Sequence, residues 1–503
     1  MARRKILALK GGDWMVASNK NILTVLFVAC AFLVALSYLI FSSIVFISLV
    51  VVIPVILAIV INPRLGFYLF LLTFSTETVN VFFMDSIYVS KYPLYVFVLG
   101  FLLIGTAFAF NPRNQWHFMK NPLSVVAALL FFFEMQGLLW SPNAAFGFHN
   151  VIIFSVNIII FYLLIQYGAK SESIDALFDV IILSGLVTGA FLYLTMYYDG
   201  IEKVFISKNL GYSYGLLKDN NRLAGLGGVN QTGGYLSAVV FIAIAMTLKA
   251  TGRLKKAYYA FAGVFMAVAM FMTTSRGTII GFAAGIISFI LLHEKGRIRF
   301  ITLTAAFVIA IPALMLIAKP QFVDRLLVGF GYEGELLFSE AKRSTSTSSK
   351  FESTGMDVRI DWWKTGLRKM VERPHKLLFG LGPGGFVYYT QSPEVHSFFL
   401  AMFFDIGIFG IMLFLIAFYM LLAMLVRCFK AVDRASPQYI ILIATSAIVI
   451  GEVCVHGLIE YEFTSMIGRY PWFYLALNIV AANAVLKQAK AREGAAWPVY
   501  VVG

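Results

Sequence analysis

The sequence predicts an all-α polytopic membrane protein of about fourteen transmembrane helices with one large loop on the outward side. Three observations predict it. Of its 503 residues 60% are hydrophobic and only 13% are charged. The apolar residues fall in runs long enough to cross a bilayer, and the cations between those runs alternate in density along the chain. An ordinary soluble domain is about 45–50% apolar and about 25% charged. A water-soluble fold has no place to hide this much apolar surface, so the bilayer is the solvent.

A span needs roughly 20 mostly apolar residues. Such runs lie near 21–40, 43–61, 65–83, 93–110, 122–140, 150–167, 176–197, 231–249, 257–273, 277–292, 300–318, 397–426, 438–459 and 470–486. Each is a helix, because backbone groups in lipid must be satisfied within their own segment. Arg3, Arg4 and Lys5 precede the first run with no small-residue cleavage site behind it, so the first helix is expected to be a retained anchor.

The loop charges set the orientation. With the N-terminus inside, the inward connections hold Arg113 and Lys120; Lys249, Arg253, Lys255 and Lys256; Lys295, Arg297 and Arg299; Arg427, Lys430 and Arg434; and Lys487, Lys490 and Arg492. The short outward connections carry Lys91, nothing charged in 141–149, and Arg469. This is the positive-inside pattern, and it places both ends in the cytoplasm. The formal net charge of +14 is accounted for by these loops and gives no reason to expect a nucleic-acid partner. Cys30, Cys428 and Cys454 form no disulfide or metal-site spacing.

Three regions follow: 1–318, the first eleven helices; 319–396, the large loop; and 397–503, three helices and a short tail. Ser344 to Ser349 is a Ser/Thr tract and reads as flexible. From Asp357 to Met370, apolar Val358, Ile360, Trp362, Trp363, Leu367 and Met370 alternate with cations. That pattern predicts an amphipathic helix at the membrane surface with its tryptophans at headgroup level.

Arg276 stands in the turn Thr273-Thr274-Ser275-Arg276-Gly277, between two apolar runs and facing outward by parity. A cation there either snorkels to lipid phosphates or meets an anionic partner. Arg222 and Arg359 lie on the same side; position alone favours scattered surface arginines in loops, while a guanidinium fork also suits phosphate oxygens, so converging arginines would make a pyrophosphate clamp. His396 follows Gly380-Leu381-Gly382-Pro383-Gly384-Gly385-Phe386 and opens the next helix. An imidazole there is a helix-start cap or a proton acceptor. Glu134, Asp405 and Glu452 sit inside apolar runs, and Glu452, His456 and Glu460 repeat every four residues on one helix face. A helix–helix hydrogen bond is the favoured reading for Glu134. For the Glu452 stripe a proton path stands level with it. No metal or nucleotide motif is present.

In order, these motifs resemble one family. Ser275-Arg276-Gly277 opens a helix; a basic loop and another helix follow; then come Arg359-Ile360-Asp361-Trp362-Trp363, Leu378-Phe379-Gly380-Leu381-Gly382-Pro383-Gly384-Gly385-Phe386, Val395-His396-Ser397-Phe398-Phe399-Leu400 and Asp405-Ile406-Gly407-Ile408-Phe409-Gly410. The series resembles the O-antigen ligase and O-antigen polymerase family, specifically over about 270–420 and weakly at Arg222-Leu223-Ala224-Gly225 and Val229-Asn230-Gln231. Ser397 stands where the family often has Asn, and Asp405 where it often has Glu.

The resemblance implies a C-type glycosyltransferase fold in the bacterial inner membrane, with the large loop and the active site in the periplasm. It implies a donor glycan on undecaprenyl pyrophosphate, a glycan or lipid acceptor, surrounding membrane lipids, and a chain-length regulator as a further partner. No cofactor or metal is expected. Catalysis would fall to His396, Arg276 and Arg359, and substrate binding to Arg222, Gly382, Gly384 and Trp362. Polymerisation of lipid-linked repeat units of O-antigen or exopolysaccharide is the favoured activity. Ligation to lipid A core or to protein is the near alternative. A lipid-linked glycan transporter is the alternative of another class, and the lack of an internal repeat counts against it.

Overall fold

A computed structural model of the chain describes residues 67–68, 71–72, 121–168, 174–197, 218–219, 222–223, 229–273, 275–293, 356–391, 395, 397–434, 436–459 and 470–493. The runs predicted at 21–40, 43–61, 93–110 and 300–318 lie outside the described residues, as do most of 65–83, the Ser344–Ser349 tract, Glu460 and His396.

The described chain is almost entirely helical. In order it forms α1 (Pro122–Gly137), α2 (Ala144–Gly168), α3 (Ile174–Tyr197), the short strands β1 (Lys218–Asp219) and β2 (Arg222–Leu223), α4 (Val229–Lys249), α5 (Arg253–Met272) and α6 (Arg276–Leu292). Three further helices follow, within the region expected to be the large loop: α7 (Met356–Val371), α8 (Pro374–Phe379) and α9 (Gly385–Thr390). Then come α10 (Phe398–Ala431), α11 (Pro437–Ile448) running into a π-helix (Val449–His456) and a last turn (Gly457–Ile459), and α12 (Tyr470–Glu493). β1 and β2 pair antiparallel, with Asp219 opposite Arg222.

Among the described residues, five helices are long and apolar enough to cross a membrane: Ile174–Tyr193, Asn230–Lys249, Arg253–Met272, Phe398–Ala431 and Pro437–His456. Pro122–Gly137 and Arg276–Leu292 are shorter apolar helices. The chain is therefore a multi-pass membrane protein. Local chemistry sets several helix starts. Asn121 caps α1 by accepting from the Leu123 N–H at 3.0 Å, with Pro122 at the first helical position. Pro437 likewise stands at the first helical position of α11, there without a side-chain cap bond from Ser436.

The core is built on α4 and α12, which are buried on nearly every face. α4 is enclosed by α3, α5, α6 and α11, while α12 packs against α2, α10 and α11. Trp472 sets its edge against Phe154 and Phe161, with centroids 5.7 and 5.5 Å away. Asn478 on α12 donates to Thr445 and Ser446 on α11 at 3.1 and 3.2 Å, side-chain bonds of the kind that join helices where water is absent. By contrast, α10 exposes Met412, Leu415, Ile416, Tyr419 and Leu422, an apolar face suited to lipid.

α4 and α5 form a hairpin that fixes the two ends of the bundle. Its tip carries Lys249, Arg253, Lys255 and Lys256. Lys249 pairs with Asp175 at the start of α3, and Tyr259 donates to Asp179 at 2.7 Å. The start of α4 and the end of α5 lie at the opposite end, together with the Arg276 turn.

Candidate active site

Ser275 is the N-cap of α6. Its hydroxyl accepts from the Thr278 N–H at 3.2 Å and donates to Asn230 Oδ1 at 2.7 Å. Thr278 Oγ1 lies 3.0 Å from Ser275 Oγ and 3.3 Å from the Asn230 carbonyl. Arg276 is thus carried at the first position of a capped helix whose start is tied to the start of α4. Its side chain is exposed. A helix start and a guanidinium are both suited to an anion.

The glycine-rich segment is wedged between α1 and a break in α10. Gly407 interrupts α10 with φ 77° and ψ −159°. The break frees the Phe404 carbonyl, and the Leu381 N–H takes it at 2.6 Å. Gly380 (φ 82°) and Gly407 meet backbone to backbone. A Cβ on Gly380 would lie 2.3 Å from the Asp405 carbonyl oxygen, and one on Gly407 would lie 2.4 Å from that of Leu378. On the other side, Ser141 donates to the Pro383 carbonyl at 3.0 Å, and a Cβ on Gly382 would strike the Gly137 carbonyl at 2.5 Å. The motifs Gly380–Phe386 and Asp405–Gly407 therefore form one interlocked piece. Gly382 and Gly384 are buried in it.

α7 forms where the amphipathic pattern predicts a helix. Trp362 and Trp363 rest on a small apolar cluster that includes Met370, Leu381, Phe386, Val395 and Phe404. Trp363 donates from Nε1 to the Val395 carbonyl at 2.7 Å. The tryptophans expected at headgroup level thus pack on protein, and they tie α7 to the residue just before His396. Arg359, half-buried, lies one turn before Trp362 and Trp363. At the end of α7, Lys369 donates to Glu372 at 2.7 Å, and this bond holds the Glu372 carboxyl below its ordinary range. Lys376 donates to the Tyr389 hydroxyl at 3.0 Å.

His396 itself is outside the described residues, but both neighbours are fixed. The Val395 carbonyl is held by Trp363, and Ser397 is the buried N-cap residue of α10. The next residue, Phe398, lies against Gly457, where a Cβ would come within 3.4 Å of its side chain. Gly457 follows His456, which packs on Gly281 of α6. The π-helix therefore bridges the helix of Arg276 and the start of α10. The elements carrying Arg276 and Arg359 and the residues flanking His396 gather at one end of the bundle, away from the basic hairpin tip. Arg222 is placed differently: β2 rests on α3, and its side chain is outside the description.

Two buried acid sites lie near this end. Glu134 in α1 is fully buried, and Asp405 acts on it electrostatically. Neither Glu134 oxygen has a hydrogen-bond partner among the described residues. Glu452 accepts from Ser237 Oγ through Oε1 and meets His456 Nδ1 at 2.8 Å through Oε2. The sequence reading put Glu452 and His456 on one face but missed Ser237, whose only signal is the Gly233-Gly234 pair just before it. Among the described residues no group of three or more His, Cys, Asp or Glu side chains is placed to hold a metal ion.

The comparisons with known proteins fall on these elements. Residues 261–415 match the family described as O-antigen ligase. The chain is also similar to the teichuronic acid biosynthesis protein TuaE of Bacillus subtilis (strain 168), 22% identical over 447 residues that cover 82% of this chain and 83% of that protein. The matched segment begins in α5, ends in α10, and contains Arg276, Arg359, the glycine-rich wedge and His396.

Proposed function

We propose that this chain is a glycosyltransferase at the periplasmic face of the bacterial inner membrane, with a C-type fold of about fourteen spans. It transfers a glycan from undecaprenyl pyrophosphate to an acceptor hydroxyl and so polymerises lipid-linked repeat units. The observation that carries the proposal is the gathering, at one end of the bundle, of the Arg276 turn, the Arg359 helix and the residues flanking His396.

The reaction forms a bond from the acceptor oxygen to the anomeric carbon and breaks the bond from that carbon to the pyrophosphate oxygen. The leaving pyrophosphate gains charge as the bond breaks, so preplaced guanidinium groups lower the barrier most where that charge develops. Arg276 and Arg359 form the clamp, with Arg222 as a third cation. His396 accepts or orients the acceptor proton. Gly382 and Gly384, buried in the wedge, serve substrate binding by shaping the substrate side from behind, and Trp362 serves it from α7. The clamp supplies the positive charge that many glycosyltransferases take from a metal, so transfer is expected to survive a chelator. The description of the matched family supports a second reading, ligation of the finished glycan to lipid A core or to protein. A chain-length regulator fits the polymerase reading as a further partner.

The test is transfer by purified protein in liposomes, with the lipid-linked glycan fraction of the source cells, no nucleotide, and a chelator present. Arg276→Ala is expected to lose about two to three decades of rate, the range for removing one preorganised charge contact. Arg276→Lys should recover little, since an ammonium lacks the planar fork. Near-normal rates in Arg276→Ala would remove it from the clamp. No transfer by folded wild-type protein with several acceptors would favour a lipid-linked glycan transporter.

A further inference from the structure

Val449–His456 winds as a π-helix inside an apolar span. Such turns are rare and are found disproportionately at functional sites. Here the π-helix sets Glu452 and His456, only 2% and 1% exposed, into the seam between α4 and α6. The two side chains bond to each other at 2.8 Å, and Ser237 of α4 donates to the second Glu452 oxygen. Glycines on both neighbouring helices make the room. A Cβ on Gly234 would lie 3.0 Å from Glu452 Oε2 and 3.3 Å from the His456 ring. A Cβ on Gly281 would lie 2.9 Å from His456 Cβ and 2.8 Å from the Gly451 carbonyl.

The location matters more than the pairing. Gly281 lies about 7.5 Å along the helix axis from Arg276. Gly234 is one turn from Asn230, which accepts from the Ser275 cap. The pair therefore sits directly beneath the Arg276 turn and touches the two helices that hold it. Adhesion alone does not account for it: α6 and the π-helix already meet backbone to backbone at Gly281 and Gly451, and ionisable groups in an apolar span are costly.

We infer that Glu452 and His456 are a positioning dyad for the transfer reaction, anchored by Ser237, that fixes the π-helix against α6 and so holds Arg276 where the leaving group's charge develops. This rests on the reading given under Proposed function. The dyad acts through α6. Its loss should lower kcat and leave the KM for donor nearly unchanged, because what is lost is complementarity to the transition state.

The experiment compares Glu452→Gln, Ser237→Ala, Arg276→Ala and the double variant Glu452→Gln/Arg276→Ala in liposomes. The donor is the lipid-linked glycan fraction of the source cells, and the readout is polyprenyl pyrophosphate released per folded protein. By analogy with groups that orient metal ligands, Glu452→Gln should lower kcat about 10–100-fold. Ser237→Ala should lower it less, since the Glu452–His456 bond survives. In the Arg276→Ala background, Glu452→Gln should cost less than about threefold, since residues acting as one unit are strongly non-additive. A merely structural role would give a multiplicative loss in the double variant; that result, or a wild-type kcat in Glu452→Gln, overturns the inference. If Glu452→Gln does not fold, Ser237→Ala alone and with Arg276→Ala carries the same comparison, with the same two outcomes. Wild-type protein that releases no polyprenyl pyrophosphate sinks the transferase reading itself, and the inference with it.

Discussion

Gly380→Ala tests whether the wedge between α1 and α10 holds the site. The native residue sits at φ 82° and ψ −179°, a region that is essentially glycine's own. Holding an alanine there costs about 1–3 kcal/mol. The new methyl group would also stand 2.3 Å from the Asp405 carbonyl oxygen and 2.6 Å from the Ile406 nitrogen. Those are backbone atoms in a helix, so relief requires moving the chain, and such overpacking costs about 1–3 kcal/mol more. Together the two effects reach about 2–6 kcal/mol, a large part of an ordinary domain's 5–15 kcal/mol. The control is Gly252→Ala, at φ −86° with no atom within 4 Å of its Cβ. Melting in detergent should show a clear loss for Gly380→Ala and almost none for the control, and glycan transfer should fall with it. Equal melting and equal transfer in the two variants would refute the wedge. A large loss of stability with full activity would keep the packing argument and detach the wedge from catalysis.

His396→Ala should keep donor binding but lose about 10²–10⁴ in turnover, the usual worth of general acid–base help; unchanged turnover would take His396 out of the mechanism. Glu134→Gln should leave the melting temperature equal or higher, because it removes a buried carboxyl that has no hydrogen-bond partner among the described residues and stands near Asp405; a loss above about 2 kcal/mol would mean that the carboxyl has a partner. A reporter fused after Arg434 should read cytoplasmic and one within Ser344–Ser349 periplasmic; finding both on one side would undo the orientation drawn from the loop charges.

Much of the architecture was legible in the sequence because the bilayer leaves few choices. A long apolar run must be a helix, so α3, α4, α5, α10 and α11 stand close to where hydropathy puts them. The candidate motifs could be picked out for a related reason: arginine beside apolar runs and glycines in a tight series are rare enough to be noticed. What stayed hidden depends on contacts distant in sequence. The bond from Ser275 to Asn230 joins residues 45 apart, and hydropathy carries no trace of it. The π-helix is equally silent, since Glu452 and His456 share a face whether the turn is α or π. Trp362 and Trp363 illustrate an ambiguity of another kind. An amphipathic pattern tells which face is apolar, but not whether lipid or protein will cover it; here the Val395 carbonyl and the cluster around Phe386 do.

On the proposed reading, the break at Gly407 links the depth of the candidate site to its chemistry. At about 1.5 Å per residue, Ile408 to Ala431 is about 36 Å long, enough alone to cross a hydrocarbon core of about 30 Å. The part from Phe398 to Ile406 is therefore not needed to span the membrane and is free to serve as a platform. It is that part which meets the glycine-rich wedge, through Phe404 and Asp405, and the end of the π-helix, through Phe398. An unbroken helix would keep the Phe404 carbonyl in its own ladder and leave Leu381 without its acceptor. On the proposed reading, this puts the arginine turn and the residues flanking His396 at the boundary between lipid and water. A polyprenyl pyrophosphate has the same division, with its tail in the hydrocarbon and its charged leaving group at the surface. A straight α10 would leave the wedge with nothing to close on, and the elements that gather there would lose their common contact.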